Sequence, residues 1–136
     1  MPLAKRPNTL YADKVIAPLD VVAAIAATTT MPLQVMDGDY RIEGFKISVP
    51  GGYTQDPANY YAVTLQRGAT VLATYSFLTG AQGTLATLVF GTGVLVANPT
   101  GVSGDRLDVV FTKNGTALNL PAQTRVVAHV KQITNV

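Results

Sequence analysis

The chain has no cysteine, no tryptophan and one histidine, and only 13% of its 136 residues are charged. Without cysteine there is neither a disulfide framework nor a thiolate metal site. Without tryptophan, a sugar-binding module lacks the side chain on which such modules lean most. A soluble domain of ordinary composition carries roughly 25% charged residues, so this chain has too few to cover its own surface. Part of its uncharged surface is therefore expected to be covered by something else, which points to a component of an assembly rather than a free-standing enzyme. Ten basic and eight acidic residues are too balanced for a dedicated nucleic-acid binder, which shows a basic stripe. The longest apolar run, Val21 to Ala27, is far shorter than the roughly 20 residues of a membrane span. The start, MPLAKRPNTLYADK, is basic but has no apolar stretch after the charges, so it does not read as a secretory signal. These features lead us to expect synthesis in the cytoplasm and solubility until assembly.

What is present is Ala, Val, Thr, Gly and Leu, cut at intervals by turn residues. Residues 1–10 hold two prolines and the basic pair Lys5–Arg6 without periodicity, and read as an extended arm. Residues 11–136 read as a single β-sandwich domain, a size that suits one core. Tyr11–Ala17 reads as a strand. Residues 19–27, LDVVAAIAA, fit either a short helix entered through Pro18 or a buried strand, because a short apolar run does not discriminate by period. Met31–Met36 reads as a strand before an Asp37-Gly38-Asp39 turn.

From Tyr40 the alternation is clearer. Phe45, Ile47 and Val49 share one face of a strand ended by Pro50-Gly51-Gly52. Tyr60–Gln66 and Thr70–Phe77 flank Arg67-Gly68-Ala69 as a hairpin. Leu85–Phe90 and Val94–Ala97 follow as strands, with a turn at Gly91-Thr92-Gly93. In Arg106–Thr112, Leu107, Val109 and Phe111 point inward. Asn114-Gly115 signals a second hairpin with Ala117–Leu120 pairing back. Arg125–Lys131 closes the chain, with Val126, Ala128 and Val130 on one face. The expected core includes Phe45, Ile47, Val63, Leu65, Val89, Leu107, Val109, Phe111, Val126 and Val130. Eight or more short strands at a spacing of roughly 8–12 residues mark an all-β sandwich or barrel. The long connections favour a jelly-roll-like sandwich over a meander.

Candidate chemistry is sparse. His129 lies in VVAHV on the face opposite the apolar residues, and nothing local supplies the nucleophile and acid that a histidine base requires. It reads as a surface or interface residue. Asp37-Gly38-Asp39 lacks the ligand spacing of a calcium loop and reads as a turn. Gly91-Thr92-Gly93 lacks the third glycine and following helix of a phosphate loop. Asn114-Gly115-Thr116 matches a glycosylation sequon without the secretory context. Tyr53, Tyr60 and Tyr61 cluster about a polar loop and read as protein-interface or core residues, with glycan contact as the alternative.

With the strands in place, the chain resembles the small decoration (cement) proteins on the heads of tailed bacteriophages. The resemblance covers most of the sequence: MPLAKRPNTLYADKVIAPL at the start, YRIEGFKISVP, the paired strands YYAVTLQRGATVLATYSF, and the closing GDRLDVVFTKNGTALNLPAQTRVVAHV. It implies a β-sandwich or β-tulip body on the outer capsid surface, usually trimeric, that binds the major capsid protein and stabilises the shell against internal DNA pressure. It implies no catalysis and no cofactor, and it carries over no functional residue; nor do we expect a metal, small-molecule substrate, nucleic acid or membrane partner. The expected interface residues are Leu3, Lys5, Arg6, Leu10 and Tyr11 in and beside the arm, with Tyr53 and Tyr60 on the body. The competing reading is a tail-fibre or baseplate carbohydrate-binding β-sandwich. An enzyme would need an acid–base pair converging in a pocket, whereas the few carboxylates here fall mostly in turns.

Overall fold

The computed structural model of the chain describes residues 11–49, 58–77, 89–96 and 99–134, and only the backbone of 11–16, 89–92 and 133–134. The arm with Leu3, Lys5, Arg6 and Leu10, the loop residue Tyr53, and residues 85–88 of an expected strand lie outside the described residues. So do the side chains of Tyr11 and Val89.

Among the described residues ten strands follow one another: β1 (Tyr11–Asp20), β2 (Thr29–Val35), β3 (Tyr40–Val49), β4 (Tyr60–Arg67), β5 (Thr70–Ser76), β6 (Val89–Thr92), β7 (Val94–Leu95), β8 (Thr100–Gly101), β9 (Arg106–Asn114) and β10 (Arg125–Thr134). No helix occurs among the described residues.

The pairing is nested. The short hairpin β4·β5 forms a tip; β3·β6, β2·β9 and β1·β10 then pair antiparallel at growing sequence separation. The chain is thus one long two-stranded ribbon. Rolling the ribbon brings β10 against β3 and β9 against β4. Two five-stranded sheets result. The first has the order β1-β10-β3-β6 with β8 added beside β3, and the second runs β2-β9-β4-β5-β7. This is the jelly-roll sandwich expected from the strand count and long connections.

Burial follows the period-two pattern that places alternate side chains on opposite faces. Phe45, Ile47, Val63, Leu65, Leu107, Val109, Phe111, Val126 and Val130 are all essentially inaccessible. They share the space between the sheets with Tyr40, Tyr61, Met36, Leu72, Phe77 and Leu120. Tyr75 and Phe77 meet edge-on, with ring centroids 4.9 Å apart. The hairpin at Arg67-Gly68-Ala69 forms as expected, with Gly68 at φ 58°.

Three local expectations are corrected. Residues 19–27 are neither helix nor a continuous strand. Leu19 and Asp20 finish β1, and the chain then loops, touching strand geometry only where Ile25 bridges Leu120. Val21 and Ile25 point inward while the alanines between them are exposed, a four-residue spacing that imitates a helix. Second, Ala117–Leu120 does not fold back on β9. Asn114 stays extended, paired with Tyr60, and the chain turns at Gly115 and crosses to the other sheet. Third, Gly91 and Thr92 belong to β6 rather than to a turn. The sheet switch comes at Gly93, whose N–H donates to Phe45 O at 2.6 Å. A Cβ there would lie 2.6 Å from the Phe45 ring, too close for any side chain.

Candidate interaction surfaces

The ribbon gives the sandwich two chemically different ends. At one end the loops 21–28 and 115–124 carry no charged residue. They are fastened together by main-chain bonds: Ile25 N to Leu120 O (2.8 Å), Leu120 N to Ile25 O (3.0 Å), Val21 N to Thr124 O (2.9 Å) and Gln123 N to Val21 O (2.7 Å). Gln123 reaches Val21 by adopting φ 71°, a left-handed conformation uncommon outside glycine. Tyr61, read from the sequence as an interface or core residue, is fully buried and donates its hydroxyl to Ile25 O at 2.9 Å. Lys113 Nζ donates to Ala26 O at 3.0 Å from the other side.

Val21, Ile25, Ala117 and Leu120 anchor these loops in the core, while Val22 is 90% and Leu118 61% exposed. Ala23, Ala24, Ala26 and Ala27 are exposed beside Val22. This platform is held rigid by hydrogen bonds and presents apolar surface that the other described residues do not cover. Exposed apolar area of this kind marks contact sites. A shallow recess of about 510 Å³ lies at its margin, lined by Asp20, Val21, Val22, Ser48, Gln123 and Arg125. Its charges neutralise each other, with Arg125 Nε 3.0 Å from Asp20 Oδ1.

The opposite end holds Asp37, Asp39, Arg67 and Asp105. Asp105 accepts from the Tyr40 hydroxyl (3.0 Å) and from Val102 N (3.0 Å). Arg67 Nη1 lies 3.7 Å from the same carboxylate oxygen and donates to Thr100 O at 2.6 Å. The Val102 N–H, aided by the Tyr40 hydroxyl and Arg67, holds the Asp105 carboxyl below its ordinary value despite partial burial. Burial pushes the Tyr40 phenol up. Gly104 N donates to Met36 O at 2.7 Å and Ser103 N to Asp39 Oδ1 at 3.3 Å. These bonds tie the 99–105 segment to the Asp37-Gly38-Asp39 turn. Asp39 and Asp105 each have a structural partner in this network, and the cluster reads as a clasp.

Among the described residues, no catalytic constellation assembles. His129 is half-buried on the outer face of the first sheet, opposite Gly44. Ser48 sits opposite Arg125, four residues along β10 from His129 and so about 13 Å away at the rise of a strand. Among the described residues, no group of three or more His, Asp or Glu is placed to hold a metal ion. Of the expected interface residues with a described side chain, Tyr60 is half-buried at the start of β4, opposite Asn114. The backbone of Tyr11 pairs with Thr134 at the clasp end of the first sheet. Sequence reasoning missed Val22 and Leu118. The signal available was the absence of charge in both loops.

No known protein family and no curated protein matches the sequence. Among solved structures, the chain is similar to one from Desmodium yellow mottle tymovirus, at 10% identity over all of this chain and 89% of that one, with a TM-score of 0.34. It is also similar to one from infectious bursal disease virus, Gx strain, at 9% identity over all of this chain and 41% of that one, with a TM-score of 0.35. At this level the likenesses say nothing about individual residues or activity.

Proposed function

We propose that this protein is a structural component of a virus particle: a decoration subunit on the outer face of a tailed-phage capsid, made in the host cytoplasm and acting as a homotrimer. It stabilises the shell through contacts with the major capsid protein and with itself. The observation that carries this reading is the rigid uncharged platform of loops 21–28 and 115–124, with Val22 90% exposed. Obligate and long-lived interfaces are depleted of charge at their centres, and a platform already braced by main-chain bonds loses little entropy on docking. The arm, with Leu3, Lys5, Arg6 and Leu10, adds a second attachment, its basic pair meeting acidic groups of a neighbour. Catalysis has no part in this role.

The test is to purify particles of the virus that encodes the chain and quantify it by mass spectrometry. A fixed, high copy number released by conditions that leave the shell intact supports the reading. Absence from purified particles refutes it.

A further inference from the structure

The charged side chains are divided unevenly between the two outer faces of the sandwich. The outer face of the first sheet carries Arg41, Lys46, Arg125 and Lys131 with Asp20 and Glu43, an excess of basic groups. Across the second sheet, the register aligns Thr30, Val110, Thr64, Thr74 and Val94 in one outward row spanning all five strands. Thr112, Ala62 and Ser76 form the next row toward the platform end. Toward the clasp end lie Pro32, Asp108 and Gln66. The described charges on this face are Arg106 and Asp108, which neutralise each other at its margin at 2.9 Å. Gln66 is tied down on the face, its amide donating to Thr64 Oγ1 at 2.8 Å. Lys113 and Arg67 belong to the same strands but reach Ala26 and Thr100 at the two ends.

We propose that this outer face of the second sheet is where a second copy of the chain packs. The inference rests on the self-association in the reading above and names its surface. Its size is adequate: five strands about 4.8 Å apart and six residues of β9 give about 24 by 20 Å, or roughly 1,000 Å² counted on two partners, the threshold of a specific interface. Its composition is suitable. Thr and Val are stiff at χ1 and so lose little side-chain entropy when covered. Val94 is 75% and Val35 58% exposed on this face, so apolar area remains to be buried. Its charge favours a copy of itself. Packing this face against a neighbouring copy strips water from no unpaired ion among its described residues, whereas the first-sheet face would bring basic groups into the contact. Sheets stacked face to face interdigitate at about 10 Å, which a flat row of small residues permits.

The experiment measures the solution mass of the full chain at micromolar concentration by light scattering, for wild type, Thr64→Arg, Val110→Arg and, as a control on the first sheet, Val127→Arg. Circular dichroism and thermal melting establish that each variant is folded. We expect wild type and Val127→Arg to be oligomeric, and folded Thr64→Arg and Val110→Arg to have the 14.3 kDa mass of one subunit. Because the chain has no cysteine, Thr64→Cys supplies a second readout: its thiol should be protected from a maleimide in the oligomer and become reactive on dilution to monomer. A two-subunit mass lost in both arginine variants upholds the face contact while replacing the three-fold ring with a pair. A monomeric wild type, arginine variants of wild-type mass, or an equally reactive thiol in oligomer and monomer overturns the proposal. No shell is present in the measurement, so its outcome is separate from that of particle attachment.

Discussion

The Tyr40 hydroxyl donates to Asp105 Oδ2 at 3.0 Å, joining positions 65 residues apart. This bond ties the start of β3 to the segment entering β9, and Gly101 makes it possible. A Cβ at position 101 would overlap the Tyr40 ring and hydroxyl and the Asp105 carboxylate. The clasp therefore needs a missing side chain as much as it needs the two that meet.

Removing the hydroxyl should cost about 1.5–3 kcal/mol of stability in Tyr40→Phe, the range for a hydrogen bond to a charged group. Gly101→Ala should cost at least as much, near the upper end of the roughly 1–3 kcal/mol of overpacking, by forcing Tyr40 out of its site. Urea unfolding of the two variants checks both values and their order.

The same network gives stability a pH dependence. The folded Asp105 carboxyl titrates below its ordinary 3.8. Its contribution is therefore full above that value and is lost as pH falls through the lower folded pKa. Glu43 acts in the same direction: partial burial pushes it up, but Arg41 and Lys131 beside it outweigh this. Melting temperature should be level from neutral pH to about pH 5 and fall below pH 4. Asp105→Asn should start lower at neutral pH and fall less steeply with acid. Thermal melts of both proteins across that range test the assignment.

Tyr61→Phe removes the bond to Ile25 O but leaves the Leu120 N–H on the same carbonyl. Stability should fall by about 1 kcal/mol. The amides of Val21, Ile25 and Leu120 should exchange faster with solvent than those of β9, because the platform loops lose a brace that the sheets do not need. Equal acceleration throughout would show that Tyr61 holds the core rather than the platform.

Deleting residues 1–10 should leave the two sheets folded, since β1 begins at Tyr11. Attachment to shells should weaken, and the part due to Lys5 and Arg6 should decline with added salt. Unchanged affinity and unchanged salt dependence in the truncated protein would remove the arm from the account.

Much of this architecture is legible in the sequence because the core strands alternate. Phe45 and Ile47 in β3, Leu107 to Phe111 in β9, and Val126 to Val130 in β10 declare their inner face by period alone. The partners of those strands are not legible. Alternation says which side of Val126 is buried but not that Ile47 lies opposite it, a choice made by how the ribbon rolls. Residues 19–27 misread because Val21 and Ile25 enter the core from a loop, so apolar content there reflects anchoring and exposure together. Asn114-Gly115 misread because the pairing of Asn114 with Tyr60 outweighs its turn preference. The platform escaped notice for a related reason: Val22 and Leu118 look like core residues until the fold shows that Val21 and Leu120 have taken the inner positions.

The central claim, attachment to a shell through the uncharged platform, is tested most directly by titrating the protein onto capsids that lack it and measuring bound protein by sedimentation. Wild type should saturate at a fixed number of copies per shell. The folded double variant Val22→Glu, Leu118→Glu should bind at least tenfold more weakly, because placing two carboxylates in a contact costs more than the roughly 1.4 kcal/mol that each tenfold represents. Saturable binding with equal affinity in both proteins would contradict the platform's role, and failure of the wild type to bind at all would contradict the decoration reading itself.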